Sequence, residues 1–532
     1  MKVSGIPFRS TNKFSSLILD YLDQKNSLKD FYRYSPSIEG ILEAANARQF
    51  EPEQRGLLAD RLLSQYDEGG IDLKKSKLTA TNIELLREEN SLTITTGHQL
   101  NLMGGPLYSL YKILSVIKLT RVLNEQQQDF NFIPVFWMAT EDHDFEEVDH
   151  FYFKGEKYQW NRDSKGAVGR LDNEGLGSIL DQLKSELANY SGNAEKVIQL
   201  FTNSYLKQDK YANSCRTLYH QLFGDEGLVI IDGDDPELKR SFIPEFRKEL
   251  SQFSTESSVN HQSEALGKSY KIQVNPRKIN LFYLNEGRER IEFDGKDYIL
   301  VDSKKKILDQ DLIAELEEHP ERFSPNVLMR PMYQEKILPN VAYIGGGGEI
   351  AYWLQLKANF DEFKLDFPVL LLRNSIVYLK EKESAIVNEL QLDWQQLFER
   401  EGDLVKSWVT DQSSEELLIK KEISDFHDLW EGLKKKSLKE DASLGPHVEA
   451  QEVRLQKWLE ALKDKLIRSQ RRKNEVQVNK IKSLLAEIAP NGSLQERRES
   501  MIELLLIKGD QLVPELLEKM EVPTKEFLIL EV

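Results

Sequence analysis

The chain has one cysteine, Cys215, among 532 residues. That excludes intrachain disulfides and cysteine-based zinc sites, and the near-helical spacing of Leu206, Leu218 and Leu222 around it marks Cys215 as a core residue. No apolar run approaches the roughly 18 residues of a membrane-spanning helix. Nor is there a leader-like start, because Asp20 interrupts the amphipathic stretch 14–22. Positive charge is short as well: the formal charge is −17, which works against a nucleic-acid partner, since that affinity comes from lysine and arginine neutralising phosphates. The chain therefore reads as soluble and cytoplasmic, with neither membrane nor nucleic acid as partner. Two phosphate-binding signatures are absent by one residue each. Gly267-Lys268-Ser269 needs glycine at 262 to be a P-loop, where Gln262 stands, and the glycine run 345–348 meets Ile350 where a dinucleotide fingerprint needs glycine.

What the chain does have is concentrated in residues 92–150. Leu92 to Thr96 has the β-branched character of a buried strand. Gly97-His98-Gln99 and Gly104-Gly105-Pro106 follow, and proline suits the first turn of a helix. From 107 to 124, Leu107, Leu110, Tyr111, Leu114, Ile117 and Leu119 recur at near-helical spacing, with Lys112, Lys118 and Arg121 among the polar positions. The bulky run 132–139 is a second strand, and it ends in Glu141-Asp142-His143-Asp144. A right-handed crossover makes the two strands parallel and brings their carboxyl ends to one edge of the sheet, where α/β proteins place ligands. His98 and His143 are therefore expected to face one crevice. Glycines let backbone N–H groups approach an anion near the positive end of a helix dipole, so the turn reads as a phosphate or carboxylate cradle. His98 suits donation to a phosphate oxygen or general-base work, and Glu141, Asp142 and Asp144 suit Mg²⁺, a hydroxyl or an ammonium group. The plain alternative is a capped turn and a solvated acidic loop.

The rest of the chain divides by texture, and its length calls for two or three domains. Residues 1–90 read as a helical lead-in packed on the core. Residues 91–265 read as the first part of a Rossmann-like α/β core, in which Asp234-Asp235-Pro236-Glu237 has the pattern of a helix start. Residues 266–305 alternate in the manner of strands at 271–274, 279–284, 290–293 and 298–301, and read as an inserted β-rich connecting segment. The core resumes over 306–376, with a strand at 341–344, the costly four-glycine turn 345–348 and a last strand at 367–372 ending in Arg373. Residues 377–490 read as an antiparallel helical coiled coil. Leu455, Leu459, Leu462 and Leu466 space its seam, one helix runs over 446–489, and its partners lie at 378–398 and 415–437. Arg468, Arg471, Arg472 and Lys473 form a basic cluster there, read as a solvated face or an anion contact. Residues 491–532 read as a tail returning to the core.

Several stretches carry a resemblance. T-T-G-H-Q-L-N-L-M-G-G-P-L-Y-S-L-Y-K at 95–112, P-V-F-W-M-A-T-E-D-H-D-F-E-E-V at 134–148, G-L-V-I-I-D-G-D-D-P-E-L-K-R at 227–240, N-V-L-M-R-P-M-Y-Q-E at 326–335 and G-G-G-G-E-I-A-Y-W-L-Q-L-K at 345–357 resemble the cysteine-adding ligase family of bacillithiol biosynthesis. The likeness spans essentially the whole chain. It implies a Rossmann-like core, a connecting insertion and a coiled-coil domain. It further implies addition of cysteine to the amine of glucosaminyl-malate. Amide formation in water is uphill unless the carboxylate is activated, so ATP with Mg²⁺ is the expected cofactor, through an acyl-adenylate or acyl-phosphate, and no tightly bound metal is expected.

On that reading His98, His143 and Asp142 are the catalytic candidates, with His143 accepting the proton of the attacking amine. Gly97, Gln99, Gly104 and Gly105 would hold phosphate or carboxylate oxygens, Glu141 and Asp144 would orient an ammonium, hydroxyls or Mg²⁺, and Lys112, Arg330 and Arg373 would be anion partners. Asn326, Gln334, Gly346, Gly347 and Glu349 join the binding set. Class I aminoacyl-tRNA synthetases offer a partial parallel, but Gly97-His98-Gln99-Leu100 keeps one histidine of their motif and no Lys-Met-Ser-Lys-Ser counterpart is present. Two other classes compete: a metal-dependent hydrolase using His98, His143, His150 and the acidic cluster, and a non-catalytic scaffold built on the coiled coil. The long coiled coil leads us to expect a homodimer.

Overall fold

The computed structural model describes residues 1–412 and 420–532. It opens on a strand, β1 (Lys2–Pro7), not on a helix. That corrects the helical reading of the first residues: β1 is a neighbour of the Glu526–Glu531 strand, a partner some 520 residues on that no local periodicity reveals. The helices Ser16–Leu22, Ile38–Ala47 and Pro52–Glu68 follow. Ser15 and Ser37 start the first two by accepting the N–H of Ile18 and Gly40, which satisfies donors that the helix leaves orphaned.

The centre is built from β2 (Ser91–His98) and β3 (Asn131–Met138), joined by the Tyr108–Gln126 helix. A small hairpin, β4 (His150–Phe153) and β5 (Glu156–Gln159), comes next, then β6 (Val229–Asp232). After the meander described below, β12 (Asn340–Gly345) and β13 (Val369–Leu372) complete a five-stranded sheet of order β13-β12-β2-β3-β6. Every neighbouring pair is parallel, so this is a Rossmann-like sheet with all carboxyl ends on one edge. β2 pairs residue for residue with β3 up to Gly97–Trp137 and His98–Met138. Chain order runs outward from β2 in one direction through β3 and β6, then starts again on its other side with β12. The switch of direction therefore falls between β2 and β12.

Both faces of this sheet are covered, so its strands are apolar on successive residues rather than alternating. Leu92, Ile94, Val116, Leu119, Phe132, Val341, Ile344 and Leu371 form one buried cluster. The Tyr108–Gln126 helix is buried along most of its length, Lys112 included.

The β-rich insertion is a five-stranded antiparallel meander of order β10-β9-β8-β7-β11. Its strands are β7 (Leu281–Leu284), β8 (Arg288–Phe293), β9 (Tyr298–Leu300), β10 (Lys306–Ile307) and β11 (Phe323–Pro325). It extends past the expected end at 305, and it does not include 271–274. There the Gln355 side chain accepts from the N–H of Gln273 and Val274 and donates to the Val274 carbonyl. A side chain thus satisfies the groups that a neighbouring strand would have paired.

Met1–Arg9, Lys13–Val377 and Leu494–Leu530 form one compact unit, and Ser10–Asn12, Tyr378–Ser493 and Glu531–Val532 the other. In the second unit the Lys420–Glu440 and Gly445–Lys473 helices are joined through a short turn and run antiparallel, with Lys434 paired to Glu452 across them. Residues 413–419, which include the start of the expected partner helix 415–437, lie outside the described residues. The other expected partner, 378–398, is only a short helix, Glu381–Glu389, followed by a 3₁₀ turn, Trp394–Phe398. The long helix expected over 446–489 is divided at Asn474 into Gly445–Lys473 and Glu475–Ile488. The Asn474 side chain donates back to the Gln470 carbonyl, competing with the backbone as asparagine does at helix ends. The four seam leucines are half-buried, and the buried residue of the Gly445–Lys473 helix is the adjacent Ile467.

Because Ile94 is wholly buried at the centre of the sheet, Ile94→Ala should cost about 2–5 kcal/mol. Urea unfolding would show an earlier midpoint for this unit; an unchanged midpoint would contradict the packing described.

Candidate active site at the sheet's carboxyl edge

In open α/β sheets the crevice at the switch of strand direction is where ligands bind, and here the Lys112–Glu349 ion pair stands in it. Lys112 is 1% exposed. Its Nζ donates to Glu349 Oε2 at 2.7 Å, to Oε1 at 2.9 Å, and to the Gly97 carbonyl. Glu349 also accepts from the Tyr343 hydroxyl at 2.7 Å and the Gly346 N–H at 2.8 Å. Burial pushes its carboxyl up, but the Lys112 charge and these hydrogen bonds hold it at about 2. Burial likewise pulls the Lys112 ammonium below its ordinary value, and Glu349 opposes that. Gly346 and Gly347 thus shape the turn that returns Glu349 toward the sheet.

His98 ends β2 beside the Tyr108 ring, with centroids 5.0 Å apart. Burial and the Lys112 cation lower its imidazole to about 3, so it is neutral at physiological pH. Its Nδ1 lies 3.2 Å from the Gln99 carbonyl; a carbonyl only accepts, so Nδ1 carries the hydrogen and Nε2 is left as an acceptor. Arg373, expected as an anion partner, is already engaged with a protein carboxylate. Its Nη1 and Nη2 donate to Glu496 at 2.9 and 2.8 Å, with both side chains buried, and its guanidinium lies 5.3 Å from the Tyr108 ring centre. Arg330 is held by Gln334, which accepts from Nη1 at 2.9 Å, and by the rings of Trp137 and Tyr343, each 5.9 Å away. Its buried Nη2 makes no hydrogen bond among the described residues. Gln334 is oriented in turn by the buried Glu335, whose desolvated carboxyl is pushed up to about 7. Asn326 is a turn residue: it accepts from the N–H of Leu328 and Met329 and donates to Asn280.

The glycine turn is not an open cradle. The Leu107 N–H donates to the Glu499 carbonyl at 2.8 Å and the Gly105 N–H to Leu102. Gly104 has φ +67°, and an added Cβ would strike Met501; one at Gly105 would lie 3.1 Å from Phe151 and 3.2 Å from Ser500. The glycines admit the returning C-terminal segment where an anion was expected; the Leu107 N–H is spent on its Glu499 carbonyl, and the Gly105 N–H closes the turn on Leu102.

The acidic run after β3 is also largely engaged. Glu141 and Asp234 share the wholly buried Lys239 at 2.7 and 2.8 Å, and Asp234 accepts from Arg170 at 2.6 and 2.8 Å. Asp232 accepts from the Thr140 hydroxyl. Asp142 accepts from Gln99 Nε2 at 2.7 Å; burial would raise its carboxyl, but hydrogen bonds from Gln99 and from the backbone N–H groups of His143 and Asp144, with the charge of Arg288, hold it far below the usual carboxylate range. Asp144 is exposed. His143, 46% exposed, packs against Phe282 and has Arg288 Nη1 3.1 Å from its Nδ1. His98 and His143 therefore have separate partners: His98 belongs to the Lys112–Glu349 group, His143 to the meander. His150 pairs with Asp149 at 2.7 Å, and among the described residues no cluster of three or more His, Cys, Asp or Glu side chains is arranged to hold a metal.

Sequence reasoning missed Arg288, Lys239, Glu496 and Tyr108. Lys239 and Tyr108 had a cue, lying inside the 227–240 and 95–112 motifs. Of the basic cluster in the helical unit, Arg468 and Arg471 line a cavity of about 190 Å³ with Lys406, Asp464 and Ile467.

The Glu349 carboxyl sits below its ordinary value of 4.5, so its contribution is fully present above about pH 4.5 and is lost as pH falls toward 2. The size is about 3 kcal/mol. Urea unfolding across that range should show a steeper acid loss for the native chain than for Glu349→Gln, which should also be less stable at pH 7 because Lys112 is left buried without its counter-charge. Parallel pH curves would contradict the ion pair.

Comparison with known proteins agrees with this architecture. Residues 1–374 match the family described as "Bacillithiol biosynthesis BshC, N-terminal Rossmann-like domain", and residues 376–532 match "Bacillithiol biosynthesis BshC, C-terminal coiled-coil domain". A Flavobacterium johnsoniae protein named "Putative cysteine ligase BshC" is 45% identical, with both chains covered completely. A protein of the same name from Flavobacterium psychrophilum is 42% identical over the full length of both. One from Bacillus cereus strain ATCC 14579 is 27% identical over 90% of this chain and 91% of its own. With both domain descriptions matched end to end on a parallel sheet and an antiparallel helical hairpin, this chain belongs to the BshC family of bacillithiol biosynthesis.

Proposed function

We propose that the protein is a ligase that joins the carboxylate of L-cysteine to the amine of glucosaminyl-malate, forming the amide of bacillithiol. ATP with Mg²⁺ would activate the carboxylate. Full-length identity to relatives named as cysteine ligases carries the proposal. The chemistry of the edge supports it. Amide formation needs an oxyanion held, an amine delivered and water kept out. The buried Arg330 Nη2 makes no hydrogen bond among the described residues; beside Tyr352, this cationic donor is suited to a phosphate or carboxylate oxygen. The exposed Asp144 suits an ammonium or Mg²⁺, and the neutral His98 offers Nε2 as an acceptor. A nucleotide would supply the phosphoryl or adenylyl group that makes the carboxylate reactive. Lys112 and Arg373, paired with Glu349 and Glu496, keep the crevice walls in place. The active form is proposed to be a homodimer formed through the coiled coil, and the site to be cytoplasmic; no helix among the described residues is long and apolar enough to cross a membrane.

The test is an assay of the purified protein with cysteine, glucosaminyl-malate and ATP-Mg²⁺, following product by mass and nucleotides by chromatography. Bacillithiol formation is expected, AMP indicating adenylyl and ADP phosphoryl activation. Absence of product with every nucleotide would count against the ligase reading.

A further inference from the structure

Arg288 belongs to none of the sequence motifs and reaches the edge from β8 of the meander. Its side chain is 9% exposed and is fixed on three sides. The Phe282 ring centre lies 4.1 Å from the guanidinium, Nε and Nη2 donate to the Ser324 hydroxyl at 3.2 and 3.1 Å, and Nη2 also donates to the Pro325 carbonyl at 2.9 Å. Nη1, placed by these contacts, lies 3.1 Å from His143 Nδ1 and 3.6 Å from Asp142 Oδ1.

A guanidinium keeps its proton in proteins and has only donors to offer. Its contact with His143 is therefore a hydrogen bond only if Nδ1 is the acceptor, which places the ring hydrogen on Nε2. The competing arrangement, Nδ1–H donating to Asp142, is poorly made. Oδ1 is 3.5 Å away and already accepts the His143 backbone N–H at 2.8 Å, and a hydrogen on Nδ1 would face those of Arg288.

We propose that Arg288 is a positioning residue that locks His143 as the neutral Nε2–H tautomer, so that the ring presents a hydrogen-bond donor to substrate instead of a base. This replaces the proton-acceptor role that sequence alone gave His143. His98 is the opposite tautomer, with Nε2 as the acceptor. The choice of substrate oxygen rests on the ligase reading: as the amine forms its C–N bond and the bond to the activating group breaks, the cysteine carbonyl oxygen gains negative charge, and a fixed Nε2–H stabilises it. The amine proton leaves to water.

Two measurements test this on the full chain. In protein labelled with ¹⁵N-histidine, the ring signals of His143, assigned by their loss in His143→Gln, should at pH 8 show a pyridine-type Nδ1 and a pyrrole-type Nε2. Arg288→Met should shift them toward a tautomer mixture. A pyrrole-type Nδ1 or an imidazolium at pH 8 would overturn the proposal. In the ligase assay, His143→Ala should lose about 10²-fold in kcat, the usual cost of removing such a donor, whereas His143→Gln, whose amide N–H replaces Nε2–H, should recover at least tenfold of that loss. Equal loss in both would mean that His143 acts as a base. The spectroscopic arm decides the tautomer whether or not the chain turns over cysteine, so this proposal and the ligase reading fail separately.

Discussion

A single buried ammonium organises this molecule's polar edge. Lys112 sits on a helix otherwise packed with apolar side chains, and burying its charge is tolerable only because Glu349 and the Gly97 carbonyl meet it. Those partners come from β2 and from the first turn of the Gly347–Trp353 helix that follows β12, on either side of the point where the sheet changes direction. The pair therefore fixes the Gly97 end of β2 against the glycine turn after β12, and with it the ring of His98. The glycine run that ends β12 and follows it fits this: Glu349 must reach back toward the sheet while its own carboxylate accepts the Gly346 N–H.

Around that pair, distant parts of the chain close the site. The C-terminal segment supplies Glu496 to Arg373 and the Glu499 carbonyl to the Leu107 N–H after the glycine turn. From the meander, Arg288 reaches Asp142 and His143. Lys239 neutralises Glu141 and Asp234. Most charges at this edge are thus spent on one another, which holds the walls rigid and leaves few groups free for chemistry. Among the described residues, Arg330 Nη2 and Arg373 Nε make no hydrogen bond, and His143 and Asp144 are exposed.

The sheet and its central helix were legible because two uninterrupted apolar runs flanking a periodic stretch have one reading. The roles at the edge were less so. His98, Lys112, Arg330 and Glu349 could be picked by their place at strand ends, but whether a lysine or arginine is free depends on its partner, and Glu349 lies 237 residues from Lys112 while Glu496 lies 123 from Arg373. Glycines at 104 and 105 signalled a close approach correctly in kind, yet sequence could not say that the approaching group was the chain's own tail. Residues 271–274 have the composition of a strand, and only the side chain of Gln355 shows why they are not one. Arg288 gave no signal, since an arginine in a half-exposed meander is ordinary.

The central claim is that substrate occupies the crevice between β2 and β12. Hydrogen–deuterium exchange on the full chain, with and without saturating glucosaminyl-malate, measures this directly. The account predicts slower exchange of the backbone amides of 97–99 and 345–349 together when substrate is present. Unchanged exchange in both loops, with protection appearing only elsewhere, would contradict it.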